Sequence, residues 1–383
     1  MTLRRTLAIG LAVALTAASN PLDAQVQVRG RMLLGTDAFP EASATEMTLG
    51  FEPRLRYALP DGSLLSLSPR GWVDLAGAGR TVLDPVRFEW TKALGEWEIM
   101  LGSSEVSWGV MESHRAVDIV NQQLPTSRTG SVTKLAQPMA RVTLIQPWGT
   151  VTGFALPGFR ERPYVGMAGT PWSGLSVNDD RPIMEERGGS PPIDWAARWS
   201  HELGSLEVAM SHFSGRSRDP ILVSHQVDSE TALSPLHEMT NQTSLEVQWT
   251  SGRWLLKGEG LTRTWGGERI GALAVGAEYV LFDYFSLFLE YLSDSRGSDA
   301  PTSYENDIFL GGRVMFDGGS LSVGAFLDTE SGNRLGRATL LRSLTDRMAV
   351  RLEATWFGGD PLAEPSNALR HDSSLSVALV ARL

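Results

Sequence analysis

The chain contains no cysteine, which removes disulfide frameworks, thiolate metal sites and cysteine nucleophiles at one stroke. Histidine is scarce as well: His114, His201, His212, His225, His237 and His371 are scattered, and none forms the two-histidine helical motif of a zinc hydrolase. Charged residues make up 20% of the 383 and the net charge is −10, so the concentrated basic face that a nucleic-acid partner requires is missing. Long apolar runs are missing too. The best candidate, Leu7 to Ala18, is shorter than the ~20 residues of a membrane-spanning helix. It follows Arg4 and Arg5 and precedes Leu22-Asp23-Ala24, which predicts a secretory signal over residues 1–24 and a mature chain from Gln25.

Alternation is what the mature chain has in abundance. In "EMTLGFEPRLRYAL" the odd positions are Met47, Leu49, Phe51, Pro53, Leu55, Tyr57 and Leu59, while Glu52, Arg54 and Arg56 are even. The last residues, "DSSLSVALVARL", repeat the pattern. Period two predicts strands at 25–35, 46–59, 63–76, 83–94, 96–104, 137–147, 149–158, 192–202, 205–214, 240–250, 253–265, 270–281, 284–294, 305–316, 319–329, 333–343, 347–358 and 371–383. Most have the ~9–11 residues a tilted strand needs to cross a bilayer.

Every other connection is a short turn, such as "PDGS", "LGE", "QPWG" and "TSGR". The intervening ones are mostly long, especially 105–136, 159–191, 215–239, 295–304 and 359–370. Short turns at one end and long loops at the other are expected of a transmembrane barrel. A bilayer also demands that every backbone polar group be paired within the protein, which strands satisfy only by closing. The expected fold is therefore all-β: one transmembrane, antiparallel, up-and-down β-barrel over residues 25–383, with eighteen strands. Sixteen stay compatible, because 205–214 and 333–343 are the least regular. Trp97, Trp148, Trp254, Tyr284, Phe316 and Trp356 fall near strand ends, where aromatic girdles meet headgroups. The terminal Leu383 replaces the aromatic common at the end of barrels handed to the outer-membrane assembly machinery.

On the polar parity lie Glu52, Arg54, Arg56, Arg70, Arg87, Glu89, Arg141, Arg198, Arg313, Arg351 and Glu353, together with Asp74, Lys257, Glu259, Arg263 and Glu278. Charges facing hydrocarbon cost ~2–4 kcal/mol each at the midplane, so these are expected to line a wet interior. Barrels of sixteen to eighteen strands are wide enough to hold a channel. The residue-level alternative is mutual neutralisation between neighbours, Arg54 with Glu52 and Arg87 with Glu89. The excess of arginine in the first strands favours anions.

"SWGVMESHRAVDIVNQQLP", residues 107–125, lies in the long 105–136 connection and mixes apolar with polar residues. It is read as folding inward to constrict the pore, with Trp108, Glu112, His114, Arg115, Asp118 and Asn121 as its notable members and Glu112, His114, Arg115 and Asp118 meeting the solute. The alternative is a packed surface loop. The stretch resembles a segment of an uncharacterised outer-membrane porin-like family, in which a Trp-Gly pair is followed by an acid and an Asp-x-x-Asn run. Trp108, Gly109, Asp118 and Asn121 match; Val110 and Gln122 stand where that pattern has an acid and a proline. "SHFSGRSRDP" resembles the same family's strand-to-loop passage. The resemblance implies a passive pore and names no solute.

Two other classes stay open. His212 and Ser214 share the lipid-facing parity, an arrangement similar to outer-membrane phospholipase A, although Gly215 replaces the asparagine expected after the serine. A non-conducting surface barrel could instead bind a ligand through loops 159–191 and 215–239. The acidic "NDD" at 178–180 and the 294–307 segment read as solvated loops rather than Ca²⁺ sites. The primary expectation is a non-enzymatic diffusion channel with charge selectivity. It would need no cofactor or metal, and its partners would be outer-membrane lipids, small hydrophilic solutes and the assembly machinery. A homotrimer is compatible with it.

Overall fold

The computed structural model describes residues 26–40, 44–75, 81–84, 87–124, 133–162, 182–185, 193–227, 230–297, 300, 305–359 and 373–382. The signal segment 1–24, the "NDD" loop, most of 159–191 and 359–370, and Leu383 lie outside them.

Strands account for nearly all of the regular structure, and alternation is the reason. The first staves are β1 (Val26–Phe39), β2 (Ala44–Ala58), β3 (Leu64–Leu67 and Arg70–Asp74), β4 (Val82–Asp84 and Phe88–Leu94), β5 (Trp97–Ser104), β6 (Gln137–Gln146) and β7 (Gly149–Leu156). They continue as β8 (Asp194–Leu203), β9 (Leu206–Arg216), β10 (Met239–Ser251), β11 (Trp254–Trp265), β12 (Glu268–Phe282) and β13 (Phe285–Asp294). The ring is completed by β14 (Asn306–Phe316), β15 (Gly319–Asp328), β16 (Arg334–Ser343), β17 (Met348–Gly358) and β18 (Ser374–Arg382). Twenty segments share the sheet, and because β3 and β4 are each interrupted once, the staves number eighteen. Pro69, which has no N–H to give to a ladder, sits in the β3 interruption.

Each stave pairs antiparallel with the next, and β1 closes on β18 from Arg31↔Arg382 to Ala38↔Leu375. Closure leaves no strand edge to satisfy. The short turns gather at one end. At the other, β11 and β12 are joined through Gly266 and Gly267 alone, whose φ values of 59° and 79° suit the primed turn of a two-residue hairpin. That turn starts β12 at Glu268, two residues before the sequence suggests. The 215–239 connection also differs from expectation: β9 runs on to Arg216, and a hairpin, Ile221–Val227 with Glu230–His237, follows and pairs in parallel with Ile183–Met184.

Register fixes the two faces. Outward positions carry Leu34, Met47, Phe51, Leu55, Leu245, Leu256, Leu273, Leu289 and Leu310, all exposed, as a lipid-facing band requires. The six girdle candidates are exposed as well, and all but Trp356 sit at the short-turn end. The buried apolar core lies inside the ring. Val106, Trp108, Val117, Ile119 and Val120, from the segment after β5, pack on Met100, Met139, Phe154, Leu156, Ala196, Phe213, Leu261 and Ile270 of the inner wall. A barrel this wide has no core of its own, so a loop supplies one.

Candidate functional site

The segment 105–124 leaves β5 and crosses the lumen. Its far contacts lie on β13 and β14, eight and nine staves from β5 in a ring of eighteen, and so almost diametrically opposite. Three carboxylates hold it there. Glu246 of β10 accepts the N–H of Gly109 at 2.8 Å. Glu259 of β11 accepts Val110 and Met111 at 2.5 and 2.8 Å through one oxygen and Val117 at 3.4 Å through the other. Glu290 of β13 accepts Glu112 and Ser113 at 2.8 and 3.0 Å. Each of these acids is at most 2% exposed. A buried carboxylate is tolerable only when its oxygens are satisfied, and here consecutive backbone N–H groups do so. Gly109 makes the approach feasible: its φ is +99°, and a Cβ there would lie 2.7 Å from Glu259 Oε1.

The near half is stitched by Asn121 and Lys134. Asn121 Oδ1 accepts the N–H of Val106 at 2.8 Å, while its amide donates to Ser104 and Leu135 carbonyls at 2.9 and 2.8 Å. Lys134 Nζ donates to the Val106 carbonyl at 2.7 Å, to Ser107 Oγ at 3.0 Å and to Asp118. Trp108 is buried edge-on to Phe154 at 6.1 Å. The motif residues Trp108, Gly109, Asp118 and Asn121 thus fold the segment.

Glu112 carries the charge at the loop's far tip. Its carboxylate takes Lys257 Nζ on one oxygen and Arg313 on the other, each at 3.0 Å. Burial works to raise its pKa, but these two cations outweigh that and hold it below the usual carboxylate range. Arg115 is exposed, and its Nε donates to the Met111 carbonyl at 3.3 Å.

One expected solute contact is corrected, and another is uncharged. Asp118 turns away into the Lys134 pair, its side chain only 6% exposed, and burial raises its pKa. His114 packs beside Asp219, Arg263 and Asp294, and burial lowers its pKa to about 4, so it is neutral at pH 7.

Arg54 and Arg56 are exposed on the inner parity, whereas Arg70 is closed in by Asp84, Glu105 and the Lys134 carbonyl beneath the loop. The expected neighbour pairings do not form. Glu52 pairs across the ladder with Arg31, Arg87 with Glu105 at 3.2 Å, and Glu89 accepts a hydrogen bond from Ser104 at 2.6 Å. Arg31 and Glu52 are directly opposed on adjacent strands, closer than residues two apart on one strand, which explains that exchange. Arg141 pairs with Glu98 at 2.9 Å and Arg198 with Glu246 at 3.0 Å. Arg351 does pair within its own strand, with Glu353 at 3.0 Å.

Sequence reading passed over Glu246, Glu290, Gln242, Lys134 and Arg218, which hold the loop. Gln242 donates to the Val117 carbonyl at 2.9 Å and Arg218 to the Val120 carbonyl at 3.0 Å. Inner parity marked the wall residues as polar, but nothing local marked them as partners of a segment more than 90 residues away.

At the short-turn end the inner wall of β17, β18, β1 and β2 presents Arg351, Arg382, Arg29, Arg31, Arg54 and Arg56 against Glu353 and Glu52. Arg29 stands directly opposite Arg54. Like charges so placed repel, and only water or an anion between them relieves the cost. On the lipid side, His212 Nδ1 is hydrogen-bonded to Thr243 Oγ1 at 2.9 Å, and no hydrogen bond joins it to Ser214 among the described residues.

No protein-family model matches the chain, and no curated protein matches it in sequence. Solved structures do match in fold. OccK2 (OpdF) of Pseudomonas aeruginosa, in complex with glucuronate, aligns with a TM-score of 0.56 at 11% identity over 94% of this chain and 97% of that one. OccAB3 of Acinetobacter baumannii gives 0.56 at 10% identity over 94% and 98%. A triple mutant of the Rh. blastica porin gives 0.48 at 11% identity over 94% and 100%. The chain shares the closed-barrel fold of the first two.

Proposed function

We propose that this barrel is an outer-membrane diffusion channel for small hydrophilic solutes, with a preference for anions. The observation that carries the reading is the lumen-crossing segment. It packs an apolar core against β5 to β12 and leaves the wall from β16 through β2, with its exposed arginines, as the side along which solute passes. A barrel serving only as an anchor has no need of a loop held across its diameter by three buried carboxylates while the opposite wall stays wet and charged. Transport is passive. The loop sets the size limit, and the arginine strip at the short-turn, periplasmic end supplies the field that sorts solutes by charge.

The test is the reversal potential of the protein in a planar bilayer under a KCl gradient. Selectivity for chloride is expected, and Arg29→Glu with Arg54→Glu should move the reversal potential towards potassium. A conducting barrel whose reversal potential favours potassium before any substitution overturns the anion preference.

A further inference from the structure

One face of the lumen departs from its polar character. Phe288, Phe309 and Phe326, from β13, β14 and β15, meet beside the loop tip and line a cavity of about 190 Å³ with Ser113, Arg313 and Arg337. All three rings occupy inward positions, and Phe309 and Phe326 pack against the buried Met111, Ala274 and Leu292. The site is built for an aromatic ring in its backbone as well. A Cβ on Gly311 or Gly324 would come within 2.8 or 2.5 Å of the Phe309 ring, so glycine at both lets that ring lie flat on the wall. Phe326 packs on it at 4.8 Å between centroids. Phe309 and Phe326 are half-buried, which leaves apolar surface turned to the lumen.

The polar members are cationic. The Arg313 guanidinium lies 5.2 Å from the Phe288 ring centroid and is anchored by Glu112 at 3.0 Å and Ser322 at 3.4 Å. Arg337 is less engaged. Its one ion pair among the described residues is a 3.8 Å contact from Nε to Glu353, and about half of its side chain is exposed. Glu112, the acid bordering the cavity, is already taken by Lys257 and Arg313. The cavity therefore offers an aromatic floor and one guanidinium fork with donors to spare, a fork whose planar geometry matches a carboxylate.

We propose that this cavity is a solute subsite for a planar aromatic carboxylate, its ring on Phe309 and Phe326 and its carboxylate on Arg337. Ring stacking and the charge-assisted pair act together, so a solute with both groups is favoured over one with either alone. The proposal deepens the channel reading and rests on it for its role in passage, while binding can be measured without conduction.

Benzoate, acetate and benzamide separate the contributions, as ring plus charge, charge alone and ring alone. With the full-length protein in detergent, calorimetric titration should give benzoate an affinity at least about tenfold above both others. Arg337→Gln should abolish most of the advantage over benzamide, and Phe309→Leu most of the advantage over acetate. Should Phe309→Leu misfold, Phe326→Leu substitutes for it. In the bilayer, benzoate should interrupt the KCl current where acetate does not. Equal affinity for benzoate and acetate, or an Arg337→Gln protein that keeps its benzoate preference, overturns the subsite. If benzoate binds as stated to a barrel that passes no current, the channel reading fails and the subsite stands. If the barrel conducts but does not bind benzoate, the subsite fails and the channel reading stands.

Discussion

Asn121 makes three hydrogen bonds with one side chain, all to backbone and all buried. Replacing it with alanine strands the Val106 N–H and two carbonyls, at ~1–3 kcal/mol for each buried group left unpaired. Asn121→Ala should lower the thermal midpoint in detergent and raise open-channel current noise, since the loop's near half loses its hold while the far carboxylates keep theirs. An unchanged midpoint and quiet current would mean that Lys134 alone suffices. The histidines add a pH dependence. Buried His237, which donates from Nδ1 to the Ser217 carbonyl at 3.0 Å, has its pKa lowered by burial from 6.5 to about 4. Between those values the unfolded hairpin binds a proton that the folded one refuses. The stability this group contributes is therefore complete above pH 6.5, falls as pH drops towards 4, and amounts to up to about 3 kcal/mol. Hydrogen exchange of residues 217–237, corrected for intrinsic rates, should speed up over that window, and His237→Gln should flatten the response. At this scale the sequence was legible in kind and not in partnership. Parity put Glu259, Lys257 and Arg313 inside, but Asp118 was misread as solute-facing because its partner, Lys134, lies 16 residues on.

The element on which the proposed function rests is the segment 105–124, which has no regular structure over most of its length and is ordered by what it touches. Its backbone donors go to wall carboxylates where a helix would use its own carbonyls, so each added contact depends on the barrel being closed first. Removing residues 110–121 would free Glu259 and Glu290 into a lumen then open to water, where they hydrate at little cost, while Glu246 keeps its pair with Arg198, so the barrel should still fold. Heat-modifiable mobility on electrophoresis checks the fold; loss of the folded band would make the loop a structural plug that the ring requires. The strands themselves were readable because period two survives wherever one face meets lipid and the other water. Their ends were less so. β1 runs on to Phe39 and the 221–237 hairpin stands above the ring, since cross-strand pairing extends past the residues that alternation alone marks.

At the scale of the molecule the barrel is asymmetric. One half of its interior is filled by the loop's apolar side, and the other presents arginines to water. On the channel reading proposed above, that division would let a wide ring sieve, with the remaining opening set by loop position rather than by strand number. It also explains why composition understates the basic character of the lumen, for a net charge of −10 is spread over the whole chain while the inner strip at the short-turn end is cationic. The ring and its two faces could be read from periodicity; the crossing of the lumen could not, because it joins β5 to β13 and β14 through contacts at separations above 170 residues.

The most direct measurement is single-channel conductance in a planar bilayer, of the intact barrel and of the barrel lacking residues 110–121. Discrete open steps are expected from both, with the steps of the shortened protein several-fold larger. A folded intact barrel that stays silent contradicts the channel, and equal steps from the two proteins contradict the constriction.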